Sequence, residues 1–520
     1  MVKALWVRTG LRPSFFDFPN PPPSIERIPR YRYNDSMKNW ITALLLCSFS
    51  SALALSWQGE VIYQVMPDRF FDGDPSNNLD VDKAGPRDWH GGDLKGLTSK
   101  LEYIKNLGAT VVWLTPIYAQ PTSKQGGTAG YHGYWPWDFS TVDPHFGTLE
   151  DFKTFTAEAH KLGLKVMLDQ VVNHFGYGAP QVLSKPDWFH KDGSCAKLGD
   201  NEIFCPLSGL PDLAQENPEV SKFLLENNAF WTAQGVDGFR YDAVKHVPLE
   251  FMRGLAAQNV KDKLYTLGEV FETSLSSTVK IASFQKAGLN SMFDFPLQNA
   301  LNNAIMGERS FDAVRIVLEK DEEYAAPDEL AIFLDNHDVA RFASKSPLLK
   351  DDEVNARVVY GIRALLTLRG IPTLWQGTEI AMRGGIDPDN RRDMRFEATW
   401  TPAEKAVFEA TQEALKVHKA SSALSKGTQA VLPVPEFQAD DLMLFTRTSS
   451  DQKVLVAWNN AAERKSYSLK LAKLPPEFAN LKLENPQELF GQDAKVSLKG
   501  GYLHLTLPAR AATAFDLKGL

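Results

Sequence analysis

The chain has 520 residues and a mass of 58.0 kDa, with 43% hydrophobic, 23% charged and 11% aromatic residues and a formal net charge of −8. That balance belongs to an ordinary folded protein and excludes a disordered, collagen-like or multi-span membrane chain. The acidic excess leaves no basic footprint, so no nucleic-acid partner is expected. Residues 1–36 carry five Arg and a Pro-rich run without apolar periodicity, and are expected to be disordered. Residues 37–54 then read as a secretory signal peptide: a basic start at Met37-Lys38, an apolar stretch over 40–49 and the small-residue cleavage signal Ala52-Leu53-Ala54. The apolar run is shorter than the ~20 residues of a membrane span, so no span is expected once the signal is removed. Leu44-Leu45-Leu46 before Cys47 do not fit a lipidation site. Placed there, the signal suits translation from Met37 with an upstream extension, and Met1 and Met37 both stand as candidate starts. A secreted or periplasmic location follows. Loss of Cys47 with the signal leaves Cys195 and Cys205, which are expected to form a disulfide in an oxidising compartment.

From residue 58, short β-branched or aromatic runs alternate with amphipathic stretches, the pattern of consecutive βα units. The strand-like runs fall at 61–67, 110–116, 165–171, 238–243, 265–270, 292–296, 331–335 and 371–376. Segments of helical period lie between them, among others at 97–107, 149–162, 220–231 and 354–368. Eight such units predict an α/β fold, a (β/α)8 TIM barrel over 55–424. A polar, Gly- and Pro-punctuated stretch at 175–217 is too long for an ordinary connection and predicts an inserted subdomain after the third strand. Beyond about residue 425 the helical period stops and short alternating runs predict a C-terminal antiparallel β-sandwich over 425–520.

In a barrel of this type the site is built at the C-terminal ends of the strands. The fourth run, GFRYDAVKH, puts Arg240 and Asp242 on one side by its period of two, and a cation beside a carboxylate keeps it ionised. The fifth ends LGEVF, placing Glu269 at the same height on a neighbouring strand. Strands ~4.8 Å apart bring the two carboxyls toward the ~5 to 5.5 Å of a retaining glycosidase, with Asp242 as nucleophile and Glu269 as acid. The seventh ends FLDNHD and brings His337 and Asp338 to the same mouth, where a further carboxylate helps keep Glu269 protonated. The loop DGDPSNN followed by GGD offers Asp72, Asp74, Asn77, Asn78 and Asp93 as hard oxygen donors for Ca²⁺.

Four motifs in order, DQVVNH (169–174), GFRYDAVKH (238–246), GEVF (268–271) and FLDNHD (333–338), together resemble the signatures of the α-amylase family, glycoside hydrolase family 13. The resemblance runs from about 61 to 396. It implies Asp242 as nucleophile, Glu269 as general acid/base and Asp338 as transition-state stabiliser, with His174, Arg240, His337, Asp387 and Arg391 on the sugar in the cleaved subsite. GYHGYW adds His132 and Tyr134, Tyr134 as stacking platform and Trp135 packed behind it. The resemblance also implies a second Ca²⁺ between barrel and insertion, held by Asn173, Asp212 and the main-chain oxygen of His246, with no evident match for a remaining ligand.

Lys245-His246 after the nucleophile resembles α-amylases and cyclodextrin glycosyltransferases and points to an α-1,4-glucan substrate. A barrel that begins right after the signal, and one sandwich at the end, fit a plain secreted α-amylase, expected as a monomer. GGIDPDNRRDMRF and the short insertion also resemble cyclomaltodextrinases and neopullulanases, and a 4-α-glucanotransferase is a further alternative. The remaining alternative is the silent amylase-like ectodomain of a transporter subunit, against which the complete set Asp242, Glu269 and Asp338 argues.

Overall fold

The computed structural model describes residues 55–191, 202–307, 309–476, 478, 483 and 486–517. The expected upstream extension, the signal peptide and Cys195 lie outside them. All eight predicted strands are present: β1 (Ile62–Val65), β2 (Val111–Leu114), β3 (Lys165–Val171), β4 (Gly238–Asp242), β5 (Tyr265–Gly268), β6 (Ser291–Met292), β7 (Ala331–Phe333) and β8 (Ile371–Trp375). They form one parallel sheet in the order β6-β5-β4-β3-β2-β1-β8-β7. A parallel bridge between Phe293 and Ala331 joins its two ends and closes the barrel.

Alternation along the strands separates two apolar layers. Ile62, Val111, Trp113, Met167, Leu267 and Phe333 fill the barrel interior, while Val112, Leu114, Val166, Leu168 and Phe239 face the surrounding helices. The lower end of the barrel is plugged by the first described residues. Trp57 stacks on Tyr265 with ring centroids 4.2 Å apart and planes 4° from parallel. Its main-chain N–H donates to Glu329 Oε2 at 3.2 Å, and the carbonyl of Leu55 accepts from Asn290 Nδ2 at 2.8 Å.

The helices begin where the sequence supplies caps. Leu149–Lys161 and Pro402–Ala420 each start with a full capping box, Thr148 with Asp151 and Thr401 with Glu404. Two expected elements differ. The run 292–296 is a two-residue strand followed by a helix, Phe295–Ile305, because Asp294 caps the backbone N–H of Leu297 and Pro296 opens the first turn. The helix expected at 97–107 is two, Leu94–Ser99 and Leu101–Leu107, separated at Lys100, where Thr98 and Ser99 hydroxyls bond back to the carbonyls of Leu94 and Gly96.

After β3 the described residues of the insertion form short helical turns at Gln181–Ser184, Pro186–Trp188 and Leu207–Gly209, with antiparallel bridges His174–Asp212 and Phe189–Leu213. At the C-terminus a five-stranded and a three-stranded antiparallel sheet face each other across Leu444, Leu455, Tyr467, Leu469, Leu503, Leu505 and Phe515. Strand Lys453–Asn459 fastens this sandwich to the barrel through Trp458, which is fully buried between Phe311 and Phe445 and donates its Nε1 hydrogen to Thr367 Oγ1 at 3.0 Å. Trp458→Ala is expected to cost about 3 to 5 kcal/mol and to lower the midpoint of thermal unfolding while leaving the strand ends in place, as followed by calorimetry.

Candidate active site

The cleft opens at the C-terminal ends of the strands, has a volume of 610 Å³, and includes Asp242, Glu269 and Asp338 in its lining. Its organising group is Arg240, on β4 and 1% exposed. Nη1 lies 2.8 Å from Asp169 Oδ1 and 2.9 Å from Asp242 Oδ1, and Nη2 lies 2.9 Å from Glu269 Oε1. Strand register explains the cluster: Asp169 on β3 is directly paired with Arg240, and Asp242 follows two residues on, on the same face. Glu269 is the first residue past β5, and its N–H donates to Tyr241 O at 3.1 Å, which sets it at the height of Asp242. Its Oε2 accepts from the main-chain N–H of Ala243 at 3.0 Å, and Ala243 adopts a left-handed φ of 48°. Strain at this turn thus accompanies a main-chain donor aimed at the carboxyl.

Burial, reinforced by Asp242 and Asp338 and opposed by Arg240, pushes the Glu269 carboxyl up to about 8. Burial likewise raises Asp169 to about 7 against the pull of Arg240. Asp338 behaves oppositely. Burial opposes its ionisation, but His337, Arg391 and Arg240 outweigh it and hold the carboxyl below the usual range. Arg391 Nη2 lies 3.1 Å from Asp338 Oδ1, and His337 Nε2 3.1 Å from Oδ2. Burial lowers His337 to about 3, so the ring is neutral. Gln64 Nε2 donates to His337 Nδ1 at 2.6 Å, which leaves Nε2–H as the donor toward Asp338.

GYHGYW forms the floor. Gly133 has φ +87°, and a Cβ there would meet the Pro116 carbonyl at 1.9 Å, so only glycine passes this turn. On either side, His132 and Tyr134 reach the cleft. Tyr134 lies nearly parallel to His337, centroids 5.3 Å apart, and donates to Asp169 Oδ2 at 2.8 Å. His132 Nδ1 accepts from the Tyr134 N–H at 3.0 Å, and His174 Nε2 donates to Tyr134 O at 3.0 Å. Burial lowers both imidazoles, so both are neutral donors. Trp135, expected behind Tyr134, instead lines the cleft, edge-on to His132 at 4.4 Å.

Beyond Glu269, the wall consists of Lys245, His246 and Phe271 with Leu207, Ser208 and Leu210 of the insertion. Lys245 stands 3.5 Å from Glu272, and His246 Nδ1 donates to Glu202 O at 2.8 Å. Beyond Asp338, Arg391 continues to Asp387 at 3.0 Å and Asp387 to Arg87 at 2.9 Å. All twelve residues named from sequence for catalysis or sugar binding therefore cluster at the cleft. Asp169, Arg87, Tyr177 and Phe271 also belong to it. Asp169 and Phe271 stood inside recognised motifs, and the period-two register with Arg240 was a signal for Asp169, whereas nothing local marks Arg87 or Tyr177.

The oxygen-donor sets divide. In the first, the buried side-chain oxygens Asp72 Oδ1, Asn77 Oδ1 and Asn78 Oδ1 have no hydrogen-bond partner. Asp93 is engaged as helix cap, accepting from Gly96, Gly73 and Asp74 N–H groups, and Asp74 pairs with Lys95 at 2.5 Å. In the second, Asn173 Oδ1 and Asp212 Oδ1 are buried and unpartnered on segments that pair with each other. Unsatisfied buried oxygens are costly, and a hard cation is a natural partner for them. Among the described residues no group of three or more His, Cys, Asp or Glu side chains is placed to hold a metal ion, so Asp72, Asp74 and Asp93 do not form the expected carboxylate cluster.

Comparison with known proteins bears on the whole arrangement. The α-amylase catalytic-domain model matches residues 64–422. A β/α-amylase from Paenibacillus polymyxa is 31% identical over 79% of this chain, which spans only 34% of that protein's length. A cyclomaltodextrin glucanotransferase from Klebsiella oxytoca is 29% identical over 78% of this chain and 71% of its own. Among solved structures, an Anoxybacillus α-amylase superposes with a TM-score of 0.78 at 35% identity, over 89% of this chain and all of the other. With a closed parallel barrel, the four ordered motifs and the acid cluster on Arg240, the chain belongs to the α-amylase family.

Proposed function

We propose that the protein is an exported, retaining hydrolase of α-1,4-glucosidic bonds in starch, glycogen or maltooligosaccharides. The reading rests on one observation above all: a single buried guanidinium holds Asp242 and Glu269 on its two terminal nitrogens, and one of the two acids keeps its proton to about 8. Two carboxyls shared by one guanidinium suit the short spacing of a double displacement, which leaves no room for a water between acid and nucleophile. Asp242 attacks the anomeric carbon as Glu269 gives its proton to the departing glycosidic oxygen. A glycosyl ester on Asp242 results, and the shortened glucan leaves. Glu269, now ionised, takes a proton from water, whose oxygen bonds the same carbon and frees Asp242 with the configuration retained. Asp338 holds sugar hydroxyls and, as an anion, favours the oxocarbenium-like transition state. Tyr134 stacks beneath the ring and His132 and Arg391 donate from fixed directions, while His174 and His337 spend their N–H groups on Tyr134 O and Asp338 and hold those groups in place.

Transfer to a second sugar is the second reading. It is favoured by Phe271, 44% exposed on the Glu269 side of the cleft, where its face suits an incoming glucosyl unit. We assign the catalytic barrel to 55–424, the insertion to 175–217 and the sandwich to 425–520, with a Cys195–Cys205 disulfide in the insertion and export directed by 37–54. Ca²⁺ fits both oxygen-donor sets: Asp72, Asn77 and Asn78 would hold one ion, and Asn173, Asp212 and the His246 carbonyl another. Bound there, the ions would supply cross-links between loops rather than chemistry at the sugar.

A time course on maltoheptaose with products separated by length tests the reading. Only shorter maltooligosaccharides are expected, whereas longer or cyclic products would make the protein a glucanotransferase. Glu269→Gln and Asp242→Asn are each expected to lower kcat by about 10³-fold or more with unchanged circular dichroism. The raised acid keeps its proton below its folded-state value, so kcat/KM is expected to fall as pH rises through about 8. EGTA is expected to lower the thermal midpoint. Ca²⁺ at a hundredfold excess over its Kd should restore ~2.7 kcal/mol per site, less so in Asn173→Ala.

A further inference from the structure

We propose that Asn390 is a positioning residue for the reaction: its side-chain amide grips the main chain on both sides of Asp338 and so sets where that carboxylate stands in the cleft. The inference rests on the transition-state role given to Asp338 above and adds a residue that acts through it without touching the sugar.

Asn390 lies in the turn Asp389–Arg391 after β8 and is fully buried. It is not among the residues that line the cleft, although its neighbour Arg391 and Asp338 both are. Its Nδ2 donates to His337 O at 2.8 Å and to Val339 O at 2.9 Å, the carbonyls of the residues before and after Asp338. A primary amide has two N–H groups, so each carbonyl takes one of them. The Oδ1 of Asn390 has no hydrogen-bond partner, so it is the two donors that this position uses. The main-chain N–H of Asp338 is held as well, donating to Asn336 Oδ1 at 2.8 Å. The backbone of Asp338 is therefore fixed before any contact of its carboxylate is counted.

A clamp can position another group only if it is itself anchored. Asn390 O accepts from Arg341 Nε at 2.9 Å and from Trp375 Nε1 at 3.3 Å. Arg341 is fully buried with its guanidinium 4.9 Å from the Trp375 ring centroid, and its Nη1 donates to Gln376 O. Arg341 and Asp338 belong to the loop after β7, Gln376 and Asn390 to the loop after β8. Bonds thus run in both directions between the loops of two strands that pair in the barrel. The side-chain type suits the task, since an amide donates twice without carrying charge. Compensation of the Asp338 carboxylate is left to Arg391, whose Nη2 stands 3.1 Å away. Arg391 Nε also donates to His337 O at 2.8 Å, so loss of the amide frees the chain on the Val339 side while the His337 side keeps one bond.

A double-mutant cycle with Asp338 tests the proposal on the full chain, with folding followed by circular dichroism. Asn390→Leu keeps the volume and removes both donors, and Asn390→Ala serves the same cycle should leucine prevent folding. Either is expected to lower kcat on maltoheptaose by about 10²-fold, the scale of a misplacement near 1 Å. KM should change by less than about threefold, because the loss falls on the transition state rather than on binding. Asp338→Asn lowers kcat by itself, and adding Asn390→Leu to it should cost less than about threefold more, since a group already disabled has nothing further to lose by moving. A folded Asn390 variant with wild-type kcat would overturn the proposal. So would a raised KM at unchanged kcat, which is an effect on binding, or losses that multiply in the double variant, which would place the action of Asn390 elsewhere than on Asp338. Wild-type kcat in Asp338→Asn would overturn the role given to Asp338 and the proposal with it. Consumption of maltoheptaose is the quantity followed, so elongated products would overturn the hydrolase reading alone and leave the cycle readable.

Discussion

Everything at the cleft depends on one buried cation surrounded by more negative charge than it can neutralise. Arg240 faces three carboxyls, Asp169, Asp242 and Glu269, in a region sealed from water on the barrel side. Were all three ionised the group would carry a net charge of about −2 without solvent to relieve it, so some of them keep protons at neutral pH. Glu269 and Asp169 are the ones pushed upward, while Asp242 stands at the more open edge with Arg240 against it. An acid and a nucleophile therefore arise from two similar side chains through placement around a shared guanidinium. Because the sites interact, their titration belongs to the cluster rather than to any one member.

The surrounding histidines complete this economy of charge. His132, His174 and His337 are buried and neutral, with one ring nitrogen of His132 and His337 occupied as acceptor. They provide oriented N–H donors where protonated imidazoles would weaken the proton-holding power of Glu269. Asp338 stands outside the group that Arg240 binds directly, and Arg391 pairs with it at 3.1 Å. Arg240 is thus the cation that directly contacts the proton donor, at 2.9 Å.

Most of this was legible in the sequence because the relevant signals are short and local. The eight strand runs stand out through β-branched and aromatic content, and Asp242 and Glu269 sit at the end of one strand and one residue past the next, where strand-end reasoning places them, while Asp338 follows its strand by five residues. Failures occurred where a second signal overlapped the first. At 292–296 the strand-like composition of Met292 and Phe293 merged with the cap and proline of the next helix. Asp169 required pairing two strands in register, which is non-local information, although Arg240 was already identified on the neighbouring strand. Arg87 was out of reach, since its meaning lies in a contact with a residue 300 positions away in the chain. The donor set DGDPSNN was recognised by composition, but composition did not separate Asp93, a helix cap, from Asp72 and Asn78, whose oxygens lack partners.

The plug beneath the barrel comes from the segment just before β1. Leu55, Ser56 and Trp57 are bonded to Asn290 and Glu329, and Trp57 covers the base of β5. Residues 55–57 therefore act as a stopper: a chain without them would leave the barrel open at its base, with Tyr265 uncovered and Glu329 stripped of its Ser56 and Trp57 partners.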